Sequence, residues 1–346
     1  MPLPSTQPVP PAAPEPFARA VPERDKYAVV LCFSAFLMVL GFCFNSPADI
    51  WKGNFIILCS PANLVTDYFA LANVGAALFN ASVMTLISIA MVRLYRMKLT
   101  GALVAAIFTV AGFSLLGKNL YNTLPIVLGV ACYAKLIRAR FQDHMLVALF
   151  GTALGPLVSE ITFNLDLPLA LGVGLGVLAG LGVGMVLCLL SAHFMRFHQG
   201  YNLYNIGFTC GIVGTFFIAL LRLFGVEVAP VALVSSGYNR PLALALYLLY
   251  LALAVLGLSW NRWRLKGYAA LLRESGRLPS DFLATAGFGL TLVNMGLLGA
   301  IGTTYVLLVG GELSGPVLGG IFTMMGFGAF GKHLKNVIPL LLGIFL

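Results

Sequence analysis

Residues 99–129 read LTGALVAAIFTVAGFSLLGKNLYNTLPIVLG, and residues 313–343 read LSGPVLGGIFTMMGFGAFGKHLKNVIPLLLG, in one register and without a gap. Each position maps onto its equivalent by adding 214. The register runs back to Asp67 and Asp281 and forward to Leu346, with 23 identities over 66 positions. Shared apolar composition would not by itself align Ile107-Phe108-Thr109, Gly112-Phe113, Gly117-Lys118, Asn122 and Pro125 with their counterparts. The chain contains a duplication.

Of the 346 residues, 60% are hydrophobic and only 10% charged, too few polar groups to cover a soluble domain of this length. Several apolar runs reach the roughly 18 to 20 residues needed to cross a hydrocarbon layer about 30 Å thick. The expected class is an all-α polytopic membrane protein whose main partner is the lipid bilayer. A transmembrane barrel would instead show short alternating segments. The net charge of +9 points to nucleic acid only until the basic residues are located, since they lie in short loops where membrane topology accounts for them. No nucleic-acid partner is expected. Cys32, Cys43, Cys59, Cys132, Cys188 and Cys210 are scattered, with no C-x-x-C, so neither a disulfide framework, a metal nor another cofactor is expected.

Residues 1–25, Pro-rich and without an apolar run, read as a disordered cytoplasmic tail. Eleven transmembrane helices are expected, over 27–44, 70–92, 99–116, 120–137, 145–163, 167–192, 203–224, 242–260, 282–308, 313–330 and 334–346. Residues 45–66 read as an interfacial or re-entrant loop. With the N-terminus inside, 17 Lys and Arg fall on the inner side and four, Lys52, Lys118, Arg222 and Arg240, on the outer. That bias sets the orientation. Seven spans separate equivalent positions, and an odd number inverts the second copy. The expected organisation is an inverted-topology repeat, 26–225 followed by 226–346. Equivalents of 133–225 would lie past Leu346, so the second copy reads as incomplete.

The tandem blocks IFT-x-x-GF-x-x-x-GK-x-L-x-N-x-x-P, at 107–125 and 321–339, resemble the bacterial multi-pass membrane proteins grouped as domain of unknown function 1576. The resemblance implies a membrane architecture, and the bacterial inner membrane as location, without supplying any chemistry.

Lys118 and Lys332 are retained on opposite faces, although only Lys332 is on the side where topology favours a lysine. Each could snorkel to the interface, or serve at one mouth of a path for an anionic or polar solute. Asn80 and Asn294 lie in mid-span, Thr109 and Thr323 in short Gly-bounded spans, and Asn122 and Asn336 three residues before Pro125 and Pro339. A proline within a span frees a carbonyl, and inverted-repeat transporters build midplane sites from interrupted helices. The alternative role for these polar groups is hydrogen bonding that only assembles the bundle.

Glu160 and Arg222 are ionisable groups in apolar surroundings at similar depth, which suggests an intramembrane charge pair. Gly172, Gly176, Gly180 and Gly184 form a ridge on one helix face. That ridge reads as close helix packing, between repeats or between two copies of the chain in a homo-oligomer, rather than as a dinucleotide loop. Asn202 and Asn205 read as helix caps first. No metalloprotease, nucleophile-elbow or P-loop motif is present, so no enzyme activity is expected. The leading expectation is a transporter or channel for a small polar or anionic solute, with its site at the interface of the repeats. The alternatives are an intramembrane enzyme acting on a lipid-linked substrate, or a membrane scaffold.

Overall fold

The structure, a computed structural model, describes residues 21–62, 66–223, 225–226 and 233–345, and every α-helix or other regular element among them is helical. In chain order come α1 (Glu23–Phe44), α2 (Pro47–Cys59), α3 (Tyr68–Leu71), α4 (Val74–Leu94), α5 (Gly101–Phe113), α6 (Leu120–Leu136), α7 (Met145–Gly151) and α8 (Gly155–Phe163). They are followed by α9 (Leu169–His198), α10 (Asn205–Leu223), α11 (Asn239–Trp260), α12 (Tyr268–Leu271), α13 (Phe282–Thr285), α14 (Phe288–Leu308), α15 (Gly315–Phe327) and α16 (Leu334–Phe345). Shifted by 214, the bounds of α3, α4 and α5 become those of α13, α14 and α15.

Among the described residues, seven helical stretches are long and apolar enough to cross a membrane: α1, α4, Phe141–Phe163, α9, α10, α11 and α14. Large apolar side chains stand exposed on the outer helices, among them Leu171 and Leu178 on α9, Phe216 on α10 and Leu244 and Leu251 on α11. In water such a belt would drive aggregation, whereas in a bilayer it meets acyl chains at no cost. The chain is a multi-pass helical membrane protein.

The helix starts follow from capping residues. Asn73 accepts from Ala76 N at α4, Thr100 from Leu103 N at α5, and Asn119 and Asn122 form a reciprocal box at α6.

Several expected boundaries are corrected. Residues 23–25 belong to α1 rather than to the tail, with Glu23 and Asp25 in the first turn where the helix dipole favours acids; residues 1–20 of that tail lie outside the described residues. The loop expected over 45–66 contains α2, started by Ser46 and Pro47. The 70–92 and 282–308 stretches do not run as single helices. Each is split, into α3 and α4 and into α13 and α14, behind the capping carboxylates of Asp67 and Asp281. At 13 residues, α5 and α15 are about 20 Å long, short of the hydrocarbon thickness.

These two short helices form the centre. Every α5 residue except Phe113 is buried. α5 and α15 lie side by side and antiparallel. Gly101 meets the Ala329 carbonyl, a methyl on Gly326 would stand 3.1 Å from Ala105 Cα, one on Gly112 2.5 Å from Gly319 O, and one on Gly315 2.5 Å from Leu115 O. Each contact is matched by its 214-shifted partner, so the pair is organised about a two-fold axis. Only residues without a side chain let the backbones approach this closely.

The flanking pairs repeat the pattern. α1 packs on α4 through Gly41 and Gly75, and α11 on α14 through Gly257 and Gly289. Phe33 of α1 joins the halves, stacked on Phe108 at 4.1 Å and edge-on to its equivalent Phe322 at 5.4 Å.

Candidate functional site

The break between α5 and α6 strands carbonyls among buried residues, Ser114 and Lys118 included, away from water. Gly117 (φ 144°) and its equivalent Gly331 (φ 133°) turn the chain in a conformation that side chains disfavour. Asn80 Nδ2 donates to Ser114 O and Lys118 O at 2.7 and 2.8 Å. Asn294 Nδ2 donates to the equivalent Gly328 O and Lys332 O at 2.8 and 2.7 Å. Asn122 and Asn336 donate to Gly117 O and Gly331 O. The amide donors of these four asparagines are thus engaged in bracing the two breaks. α6 and α16 run through Pro125 and Pro339, so the interruption is at the glycines and not at the prolines.

A second symmetric device links the copies. Asp67, fully buried, accepts from Phe69 N, Ser235 N, Ser235 Oγ and, across the interface, Gly315 N at the start of α15. Asp281 accepts from Ala284 N and from Gly101 N at the start of α5. Each copy therefore supplies the carboxylate that caps the other copy's central helix. The sequence signal was present: this is the only acidic residue retained in the matched positions.

Lys118 is fully buried, its Nζ has no hydrogen-bond partner, and it stands 5.3 Å from the centre of the Phe113 ring. Lys332 is half-buried, with Nζ 5.2 Å from the centre of the Tyr204 ring. Both rings face one cavity of about 230 Å³. Thr109 and Phe113 from α5 line it together with their equivalents Thr323 and Phe327 from α15. Phe150, Phe330, Leu278 and residues 203–207, which lead into α10, also line it. Thr109 and Thr323 donate to Ala105 O and Gly319 O, which leaves their oxygens able to accept.

Leu146 lines this cavity and also a more open, polar cleft of about 380 Å³ bordered by Arg96, Lys98, Gln142 and Asp143. The two spaces thus lie on either side of Leu146.

Of the sequence candidates, the cavity gathers Thr109 and Thr323 in its wall and has Lys118 and Lys332 against its rings. Asn80, Asn122, Asn294 and Asn336 hold the breaks beside it. Glu160 and Arg222 do not pair: Asn164 Nδ2 donates to Glu160 Oε1 at 2.6 Å, Arg222 is exposed, and the ion pairs among described residues lie elsewhere. The glycine ridge lies within the first copy, not between repeats. Gly172 and Gly176 meet Thr162 and Val158 of α8, Gly180 meets Pro125, and Gly184 meets Ile126 of α6. The face that a second copy would need is filled by the chain's own helices.

Of the two expected caps, Asn202 accepts from Tyr204 N, whereas Asn205 lies in α10 itself, donating to Ser191 O and pairing with His198 Nε2. Phe113 and Phe327 are visible in sequence as identities, with nothing to mark them as lining a cavity. Tyr204 lies outside the matched positions, inside the Asn202–Asn205 stretch whose asparagines read as caps.

No curated protein and no solved structure matches the chain. The sequence profile of one family, described as "Protein of unknown function (DUF1576)", matches residues 46–223 and 260–346, most of the chain and both copies of the central break. With that coverage, the chain belongs to the DUF1576 family.

Proposed function

We propose that the protein is an inverted-repeat transporter or channel that moves a small solute through the cavity between its two copies. The observation that carries this reading is that Thr109 with Thr323, and Phe113 with Phe327, line one cavity from equivalent positions. A site on the axis relating two halves can be offered to either side of a membrane by exchanging the conformations of the halves. The antiparallel course of α5 and α15 supports opposite orientations of the copies, and so does the charge bias that assigns the N-terminus to the cytoplasm. The two lysines support a path with two mouths, one sealed at Lys118 and one half-open at Lys332. The adjoining cleft carries Arg96 and Lys98, which the charge bias assigns to the cytoplasmic side of the bacterial inner membrane.

The test fills the cavity. A deletion strain is screened for growth and uptake over carbon, nitrogen and phosphorus sources, then complemented with wild type, Thr109→Phe or Thr323→Phe. Uptake lost in both variants at unchanged membrane level supports the path; normal uptake in both overturns it.

A further inference from the structure

We infer that the cavity takes an organic anion with an apolar, ring-sized body, its charged head held at the first turn of α10 beside Lys332. The inference rests on the cavity serving as the solute site and adds the chemistry of the solute.

The wall is largely hydrocarbon: Phe113, Phe150, Phe327, Phe330 and the Tyr204 ring, with Leu146, Leu203, Leu278 and Ile206 between them. A small hydrophilic solute such as free phosphate would lose its hydration there and find few donors to replace it. An apolar body loses nothing. A dry cavity of about 150 Å³ accepts a benzene ring, so 230 Å³ has room for a ring and a short head group.

The sign of the charge follows from what surrounds the rings. Aromatic walls can bind cations, but among the described residues no Asp or Glu lines this cavity. The basic side chains against its rings are both lysines, over Phe113 and Tyr204. A third basic group, Arg277, lies 4.2 Å from the Tyr201 ring and is next to the lining residue Leu278. A cation would be repelled by the half-buried Lys332 and by Arg277.

The place of the head group follows from α10. Residues 203–207 line the cavity, and the first helical bond of this 19-residue helix is Phe208 N to Tyr204 O. The preceding amides therefore end the positive pole of the dipole at the wall.

The test uses the purified full chain in lipid nanodiscs, with binding read by calorimetry and by thermal stabilisation. The probes are benzoate, its neutral isostere benzamide, inorganic phosphate, phenyltrimethylammonium and laurate. Benzoate should bind at least tenfold more tightly than benzamide, phosphate or the ammonium. Lys332→Gln should bring benzoate down to the benzamide level and leave benzamide unchanged, while Lys332→Arg should retain most of the preference. Equal binding of benzoate and benzamide, tightest binding of phosphate or of the ammonium, or binding of no probe would each overturn the inference. Binding of laurate without benzoate would move the ligand to the lipid phase and overturn the ring-sized body. Benzoate bound at the cavity but not exchanged across proteoliposomes would leave this inference standing and overturn the transport reading instead.

Discussion

At the scale of single residues, identity at equivalent positions marks importance without telling a brace from a ligand. Asn80, Asn122 and Lys118 recur alike in the second copy. Yet the asparagine donors are spent on stranded carbonyls, and only the lysine amine has no hydrogen-bond partner. The sequence lacks that distinction because it depends on where Gly117 turns the chain. Asn80→Leu should therefore strand two buried carbonyls and destabilise the fold by about 1–3 kcal/mol for each. Asn294→Leu should do the same, both read as lowered thermal midpoints in one lipid environment. Lys118→Met should act in the opposite sense. It removes a buried amine with no hydrogen-bond partner and keeps most of the side-chain volume, so the midpoint should hold or rise while uptake falls. A midpoint lowered as far as in Asn80→Leu would make Lys118 part of the scaffold.

At the scale of helices, the sequence suggested eleven spans, whereas seven helical stretches among the described residues are long and apolar enough to cross a membrane and several others are shorter. Residues 99–116 carry enough apolar side chains for a span, but α5 ends at Phe113 because Gly117 and the Asn80 donors stabilise a break there. The contact between α5 and α15 was hidden, because the spacing of Gly101, Ala105 and Gly112 does not name the partner. It makes a sharp comparison available. Gly112→Leu drives a side chain into the Gly319 backbone, which cannot yield, whereas a methyl on Gly320 meets nothing within 4 Å. Gly112→Leu should abolish recovery of monodisperse protein on gel filtration, and Gly320→Leu should elute as wild type. Similar behaviour of the two variants would mean that the central pair is not packed this closely.

At the scale of the whole molecule, composition and the duplication made the membrane class and the family legible from sequence. The way the halves meet was not, because in sequence Asp67 and Asp281 mark only where the matched register begins, and only the fold brings each to the other copy. Opposed orientation remains accessible to direct measurement. With the exposed native cysteines replaced, single cysteines at the equivalent positions 97 and 311 should react with an impermeant thiol reagent from opposite faces of intact and inverted vesicles. Reaction from the same face would end the inverted arrangement. The reciprocal clasp also has a consequence in time. Gly101 N is capped by a residue 180 positions later in the chain, and Asp67 waits 248 positions for Gly315. At about 5–20 residues per second, the start of α5 leaves the ribosome about 10–40 s before its carboxylate exists. Throughout that interval the glycine face of α5 has no mate and the Asp67 carboxylate has only Phe69 N and, once it is made, Ser235, so assembly of the centre is set by the pace of translation, and the nascent first half must be kept from proteases and from other chains until the second half arrives.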